Sequence, residues 1–206
     1  MPSALQIPTP IRKSTQALNY FAHKAASGAP AREMNKMKAL KLLFFADRFH
    51  LRKYGRPVSE CEYFAMNNGP VASQAKRVAE ERLPDKDRIY ARRYVRRKDN
   101  LRYASVSDVD DAVLSKSDFE ALDFAWKTFG HYTEFDLAEI SHHYPEWKRH
   151  AAKLRRDGAK RIEMNYSDFF AEPDAGYNPC HVLTAADKRA AVALFREREE
   201  VRSLWN

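Results

Sequence analysis

The segment MNKMKALKLLFFADRFHLRKYGRP, residues 34–57, reads as a helix too apolar to lie at a surface. From Met34 to about Tyr54, Met37, Leu40, Phe44 and Leu51 recur at helical spacing, and Leu42, Phe45 and Phe49 widen their stripe until little circumference is left for water. Lys38, Lys41, Arg48 and Arg52 read as its solvent face. Gly55 suits the C-terminal turn, and Pro57 blocks continuation beyond it. A helix of this kind belongs at the centre of a core. The expected fold class is therefore mainly α, of the α+β type: a compact helical domain around this central helix, with a small β-hairpin.

The flanking sequence supplies the other elements. Residues 12–26 predict a helix with Leu18, Phe21 and Ala25 inward, broken by SGAPA at 27–31. Glu62 to Met66 suits a short extended piece. In FAMNNGPVAS, residues 64–73, Gly69-Pro70 reads as a rigid corner: glycine supplies backbone freedom, and proline stands in the first turn of a helix over 71–82. Residues 88–106 change from helical to alternating period, with Asp99-Asn100 at a tight reversal, which predicts a β-hairpin. Ser115 or Ser117 with Asp118 or Glu120 forms a capping box for a helix ending at Gly130, and Thr133 with Asp136 repeats the device. Pro145 opens a further helix that buries Trp147, Ala151 and Leu154. Residues 159–183 look like an irregular excursion, and Thr184 with Asp187 caps a last helix bearing Leu194, Val201 and Trp205.

A chain of 206 residues, 44% hydrophobic and 12% aromatic, can bury a sizeable core. No apolar stretch approaches the ~20 residues of a membrane span, and the first residues lack a signal-peptide pattern. The expectation is a soluble, cytoplasmic protein with no membrane partner. Cys61 and Cys180 are too few for a disulfide framework and read as reduced thiols. The formal charge of +8 suits a nucleic acid or an acidic protein as partner.

Candidate chemistry is sparse. Asp47 and His50, three apart on the central helix, together with His142 and His143, suggest a carboxylate–histidine metal site, yet no HExxH or CxxC pattern accompanies them. The bland alternative is a buried carboxylate whose donors are His50 or the backbone N–H groups of a helix start. Neither cysteine has a glycine elbow or a base beside it. No catalytic residue, cofactor or metal is assigned, and the protein is expected not to be an enzyme. The strongest surface feature is the hairpin. Between Lys86 and Arg102 eight Lys and Arg stand against Asp87 and Asp99, and alternation puts Tyr90, Arg92, Tyr94 and Arg96 on one side of its first strand. Such a face can stack bases and hold phosphates, can dock an acidic protein, or can be a charged edge strand that resists aggregation. A second basic run, Lys148 to Arg161, reads as plain solubility.

Several motifs in order carry a resemblance: ALKLLFFADRFHLRKYGRPVSECEYFAMNNGPVAS (39–73), then the hairpin, then LSKSDFEALDFAWKTFGHYTEFDLAEISHHYPEWKRH (114–150). They match a KLLYFAD-type helix, a YG-P turn, a GPV corner, an LS-start helix ending in glycine, and an H-P-W segment. The chain resembles the SocA-like antitoxin family, also called the Panacea domain and related to phage-associated GepA proteins. Asn67-Asn68 stands where the family more usually has an aromatic before the glycine. The resemblance covers about residues 12–155, and so implies a domain over that range, preceded by a flexible N-terminus (1–11) and followed by a C-terminal extension (156–206) packed on the same domain. It makes Asp47, His50, Gly69, Pro70 and Trp147 structural motif residues. It also implies a non-catalytic antitoxin of a bacterial toxin–antitoxin pair, whose partner is a cognate toxin. In the SocA system the antitoxin further acts as an adaptor delivering its toxin, a blocker of the replication sliding clamp, to the ClpXP protease. A nucleic-acid-binding regulator using the Tyr/Arg hairpin is the alternative.

Overall fold

Asn35 sets the start of the central helix: its side-chain oxygen accepts from the backbone N–H groups of Met37 at 2.8 Å and Lys38 at 3.2 Å. In the computed structural model, which describes residues 7–28, 32–156 and 158–204, this helix, α2, runs Lys36–Tyr54. Gly55 closes it in the left-handed conformation (φ 67°), its N–H donating to Leu51 O at 2.9 Å. A Cβ on Gly55 would lie 2.8 Å from the Leu194 side chain, so this turn also seats the last helix.

Helix α1 (Thr9–Ala26) precedes α2, and β1 (Met34–Asn35) leads into it. Of the leader expected to be flexible, residues 1–6 lie outside the described residues, while Ile7 and Ile11 are buried. Next come β2 (Tyr63–Met66), β3 (Gly69–Ala72), α3 (Ser73–Ala79), α4 (Asp85–Ala91), β4 (Val95–Arg97) and β5 (Arg102–Ser105). Helices α5 (Lys116–Phe129), α6 (Glu134–Ser141), α7 (Pro145–Lys148) and α8 (Ala151–Arg156) follow. The chain then forms β6 (Ile162–Glu163), a 3-10 turn (Tyr166–Phe170) and α9 (Ala185–Ser203). The capping boxes expected at Ser115/Asp118 and Thr133/Asp136 are both made, and Thr184 and Asp187 exchange the equivalent bonds. Trp205 lies outside the described residues.

The class is mainly α with small antiparallel sheets, around α2. Two three-stranded sheets stand where one hairpin was expected, in the orders β1-β5-β4 and β3-β2-β6. Phe44 sits at the core's middle, edge-on to Tyr63, Tyr144 and Phe169 with ring centroids 6.1, 5.7 and 5.7 Å away.

Four expectations are corrected. Lys41, Arg48 and Arg52 do not face solvent; each is at most 1% exposed. Pro70 does not open a helix but lies in β3 opposite Ala65, on the edge of its sheet, where a missing N–H breaks no ladder bond. Residues 88–91 are helical rather than extended, because Pro84 followed by Asp85 and Asp87 makes a helix start. The 159–183 segment is no excursion: β6 pairs with β2, and Phe169 and Phe170 are buried core.

Gly69 is the reason β2 and β3 can close on each other. Its φ is +95°, and a Cβ there would lie 2.3 Å from Ser141 Oγ and 2.7 Å from Lys41 Nζ. Replacing Gly69 with Ala is expected to cost about 2–4 kcal/mol, from backbone strain plus overpacking. Denaturant unfolding measures it, and a midpoint equal to wild type would refute this account of the turn.

Candidate functional site

The polar groups buried on α2 are engaged by partners distant in sequence. Asp47 accepts from Ser59 N–H at 2.8 Å, from the Ser59 hydroxyl and from the Tyr63 hydroxyl at 2.8 Å. Burial pushes its carboxyl up to about 6, against the pull of those donors. His50 is not among them, contrary to one expectation. Its Nδ1 lies 2.6 Å from Arg56 O, which can only accept, so Nδ1 carries the proton and Nε2 accepts from the Ser117 hydroxyl at 2.9 Å. Burial holds this imidazole down to about 4, hence neutral at pH 7.

Arg48 and Arg52 stand one turn apart and are clasped by the C-terminal segment. Arg48 donates to Glu146 Oε1 at 2.5 Å, to Ala171 O and to Pro179 O at 3.4 Å, and its guanidinium lies 4.9 Å from the Tyr144 ring centre. Arg52 donates to His181 O at 2.7 Å, to Phe169 O and Ala171 O at 3.2 Å, and to Glu172 Oε1 at 2.6 Å. Trp147 Nε1 donates to Met66 O at 2.8 Å and its ring stacks on His142 at 3.7 Å, which ties α7 to the β2–β3 turn. Burial pushes the thiols of Cys61 and Cys180 up to about 11 and about 12, so both are weak nucleophiles. Among the described residues no group of three or more His, Cys, Asp or Glu is placed to hold a metal, and no helix is long and apolar enough to cross a membrane.

The four hairpin residues do not share a strand face. Tyr90 is buried in α4, its hydroxyl 3.4 Å from Gln16 Nε2. Arg92 ends that helix and grips Glu81, and Tyr94, half-buried, donates to Asp110 at 3.0 Å. Only Arg96 lies on β4, exposed. The spacing misled because four residues brings side chains to one side in a strand and in a helix alike; Tyr90 and Tyr94 pack together at 5.3 Å.

Two cavities of about 460 Å³ each lie at the N-terminal end of α2, on either side of its first turn. One has an apolar wall of Met37, Leu40, Met66 and Val71, with Lys41 at its base and Lys36, Lys76 and Lys160 around it. The other is lined by Asn35, Lys38, Trp126, His131, Tyr132 and Glu134 among others. Lys38 Nζ donates to Gly130 O at 2.6 Å and Asn35 to Glu134 at 3.0 Å, which fixes α6 beside α2. Lys36 N–H donates to Leu101 O at 2.7 Å, which brings the β4–β5 turn to the same end. Here large apolar side chains remain open: Leu101 is 64% exposed, Phe135 72% and Tyr132 36%. Sequence patterning missed all of them: Leu101 and Tyr132 are isolated apolar residues in turns and carry no period, and Phe135, in the first turn of α6, lies off the inward stripe of Leu137.

A family model described as "Antitoxin SocA-like, Panacea domain" matches residues 40–148, from within α2 to the end of α7. No curated protein and no solved structure matches the chain.

Proposed function

Because the chain belongs to the SocA-like antitoxin family by its Panacea domain, we propose that it neutralises a cognate toxin by direct binding, through the surface at the N-terminal end of α2. The observation that carries this reading is the placement of Leu101, Tyr132 and Phe135 in the open beside two cavities with cationic borders. Aromatic, Met and Arg side chains are the types that anchor interfaces, and an apolar group left in water on a free protein gains by being covered. The interior of α2 supports binding over catalysis, since Asp47, His50, Arg48 and Arg52 are spent on internal partners. Arg96 lies exposed on the outer strand of the β1-β5-β4 sheet and stays a contact candidate; Tyr90, being buried, leaves the set. Delivery of the bound toxin to ClpXP is a further step of the proposal, tested by the toxin's half-life with protease in the presence and absence of this protein.

The nucleic-acid alternative has less behind it. Within the basic run Arg88 is paired with Asp85, Arg92 with Glu81 and Arg102 with Asp99, so part of its charge is neutralised internally. Steep loss of DNA affinity with salt would revive it.

Co-purification with the product of the adjacent reading frame tests the proposal. Leu101→Asp with Phe135→Asp is expected to weaken that complex by about 100-fold or more and to leave the unfolding midpoint unchanged, because both side chains are mostly in water. Absence of any complex would overturn the binding role, and an unaltered affinity would remove this surface from it.

A further inference from the structure

Resting on the antitoxin reading, we propose that the cavity walled by Met37, Leu40, Met66 and Val71 receives an acidic side chain of the toxin, whose carboxylate meets the ammonium of Lys41.

Lys41 is 1% exposed, yet its nitrogen is poorly provided for. Among the described residues it makes one hydrogen bond, to Pro70 O at 2.8 Å, and no ion pair. An ammonium has three N–H groups, and a buried cation calls for a counter-charge. The other buried cations of α2 have theirs, Arg48 in Glu146 and Arg52 in Glu172. Lys41 differs only in that its counter-charge is missing while a cavity opens beside it. The absence of a side chain at Gly69 lets the β2–β3 turn come within contact of the Lys41 head.

The groups around Lys41 favour an anion. Lys76 and Lys160 share the cavity, while Lys36 and Glu80 on its border pair with each other at 2.8 Å. From α6 come the Ser141 hydroxyl, which donates to Ala138 O at 2.6 Å, and His142, held below its ordinary value by burial and in part by the Lys41 charge. The apolar wall selects the kind of anion. It would cover the methylene groups of a Glu or Asp side chain and its apolar neighbours, whereas a phosphate would leave that wall unused.

The site carries its own pH signature. Burial pushes the Lys41 ammonium down to about 7 in the free protein. A carboxylate binds the protonated form and holds it protonated, so binding takes up a proton. Affinity is therefore expected to be flat below pH 7 and to fall by up to about tenfold per unit above it, the slope of one coupled proton. His142 titrates on the acid side of this window.

Calorimetry of the purified protein with the product of the adjacent reading frame, between pH 6 and about 8.5 and in buffers of differing ionisation enthalpy, tests the inference. Lys41→Met should lower affinity at pH 6 by about tenfold or more, remove the pH slope and abolish proton uptake, while the fold is kept because an apolar chain of similar length replaces a desolvated one. As a second variant, Val71→Glu places a carboxylate on the cavity wall; with the fold confirmed by circular dichroism, it should occupy Lys41 and block the toxin. Wild-type affinity and slope in Lys41→Met, with the complex intact, would overturn this proposal and leave the antitoxin reading standing. Failure of the wild-type protein to bind at all would remove both. Inorganic phosphate that displaces the toxin from wild type but not from Lys41→Met would identify a general anion site and overturn the carboxylate assignment.

Discussion

A chain ended after Arg156 is expected not to fold, although it keeps every residue of the family-matched segment 40–148. The deleted part holds Phe169 and Phe170, both at most 1% exposed, and burying each such ring contributes about 2–3 kcal/mol. Removing Phe169 also bares the faces of Phe44 and Tyr63 that it covers. The strand pairing of β6 with β2 goes, and so do the packing of Phe195 on Phe170 and of Leu194 on Gly55. Arg48 and Arg52 lose the carbonyls of Phe169, Ala171, Pro179 and His181. Arg48 would keep Glu146 while Arg52 would be left to water, so the larger loss is apolar burial together with an uncompensated charge on a helix that must remain in the core. The total rivals the whole stability of a domain, about 5–15 kcal/mol. Circular dichroism and limited proteolysis measure it. A protease-resistant 1–156 fragment with a cooperative transition near that of the full chain would refute the idea that the C-terminal segment completes the core.

Glu146→Ala should be the most damaging single change in the buried charge network. Arg48 and Glu146 are both fully buried, 2.5 Å apart, and burial pushes the Glu146 carboxyl up against the pull of Arg48. Removing the acid leaves an uncompensated guanidinium in the interior, which typically costs about 3–5 kcal/mol, and the thermal midpoint should fall by about 10 °C. In an Arg48→Met background the same substitution should cost under about 1 kcal/mol or even stabilise, because the buried Glu146 carboxyl has already lost its partner there and its removal relieves that burial. The Arg48→Met change carries its own penalty, since it leaves the buried Glu146 carboxyl without its partner and Pro179 O without its bond from Arg48, whereas Ala171 O keeps Arg52. Chemical denaturation of the four proteins completes the cycle. Equal effects of Glu146→Ala in both backgrounds would mean that the two side chains are not coupled.

Legibility followed the reach of each signal. The capping boxes of Ser115 with Asp118 and Thr133 with Asp136, and the left-handed stop at Gly55, involve residues within four of each other and were visible in the chain. The central helix was visible through its apolar content. Gly69-Pro70 was recognised as a corner but assigned to the wrong element. A Gly-Pro step fits a helix start and an edge strand equally, and the choice depends on whether residues 63–66 lie opposite. Of the candidate site, the basic hairpin was visible, whereas Leu101, Phe135 and Lys41 were not.

The sequence by itself determined that α2 is central, where most helices begin and end, and to which family of motifs the chain conforms, because apolar periodicity and caps act over a few residues. Only the tertiary structure decided the fate of the cations on α2. Whether a lysine or arginine on a helix faces water or the interior depends on what the rest of the chain brings to it. For Arg48 and Arg52 that is a set of carbonyls and carboxylates from residues 146–181. For Lys41 it is one carbonyl and an open cavity. The energy of a buried charge is set by the polar groups within a few ångströms of it, and distance in space is what a linear pattern does not record.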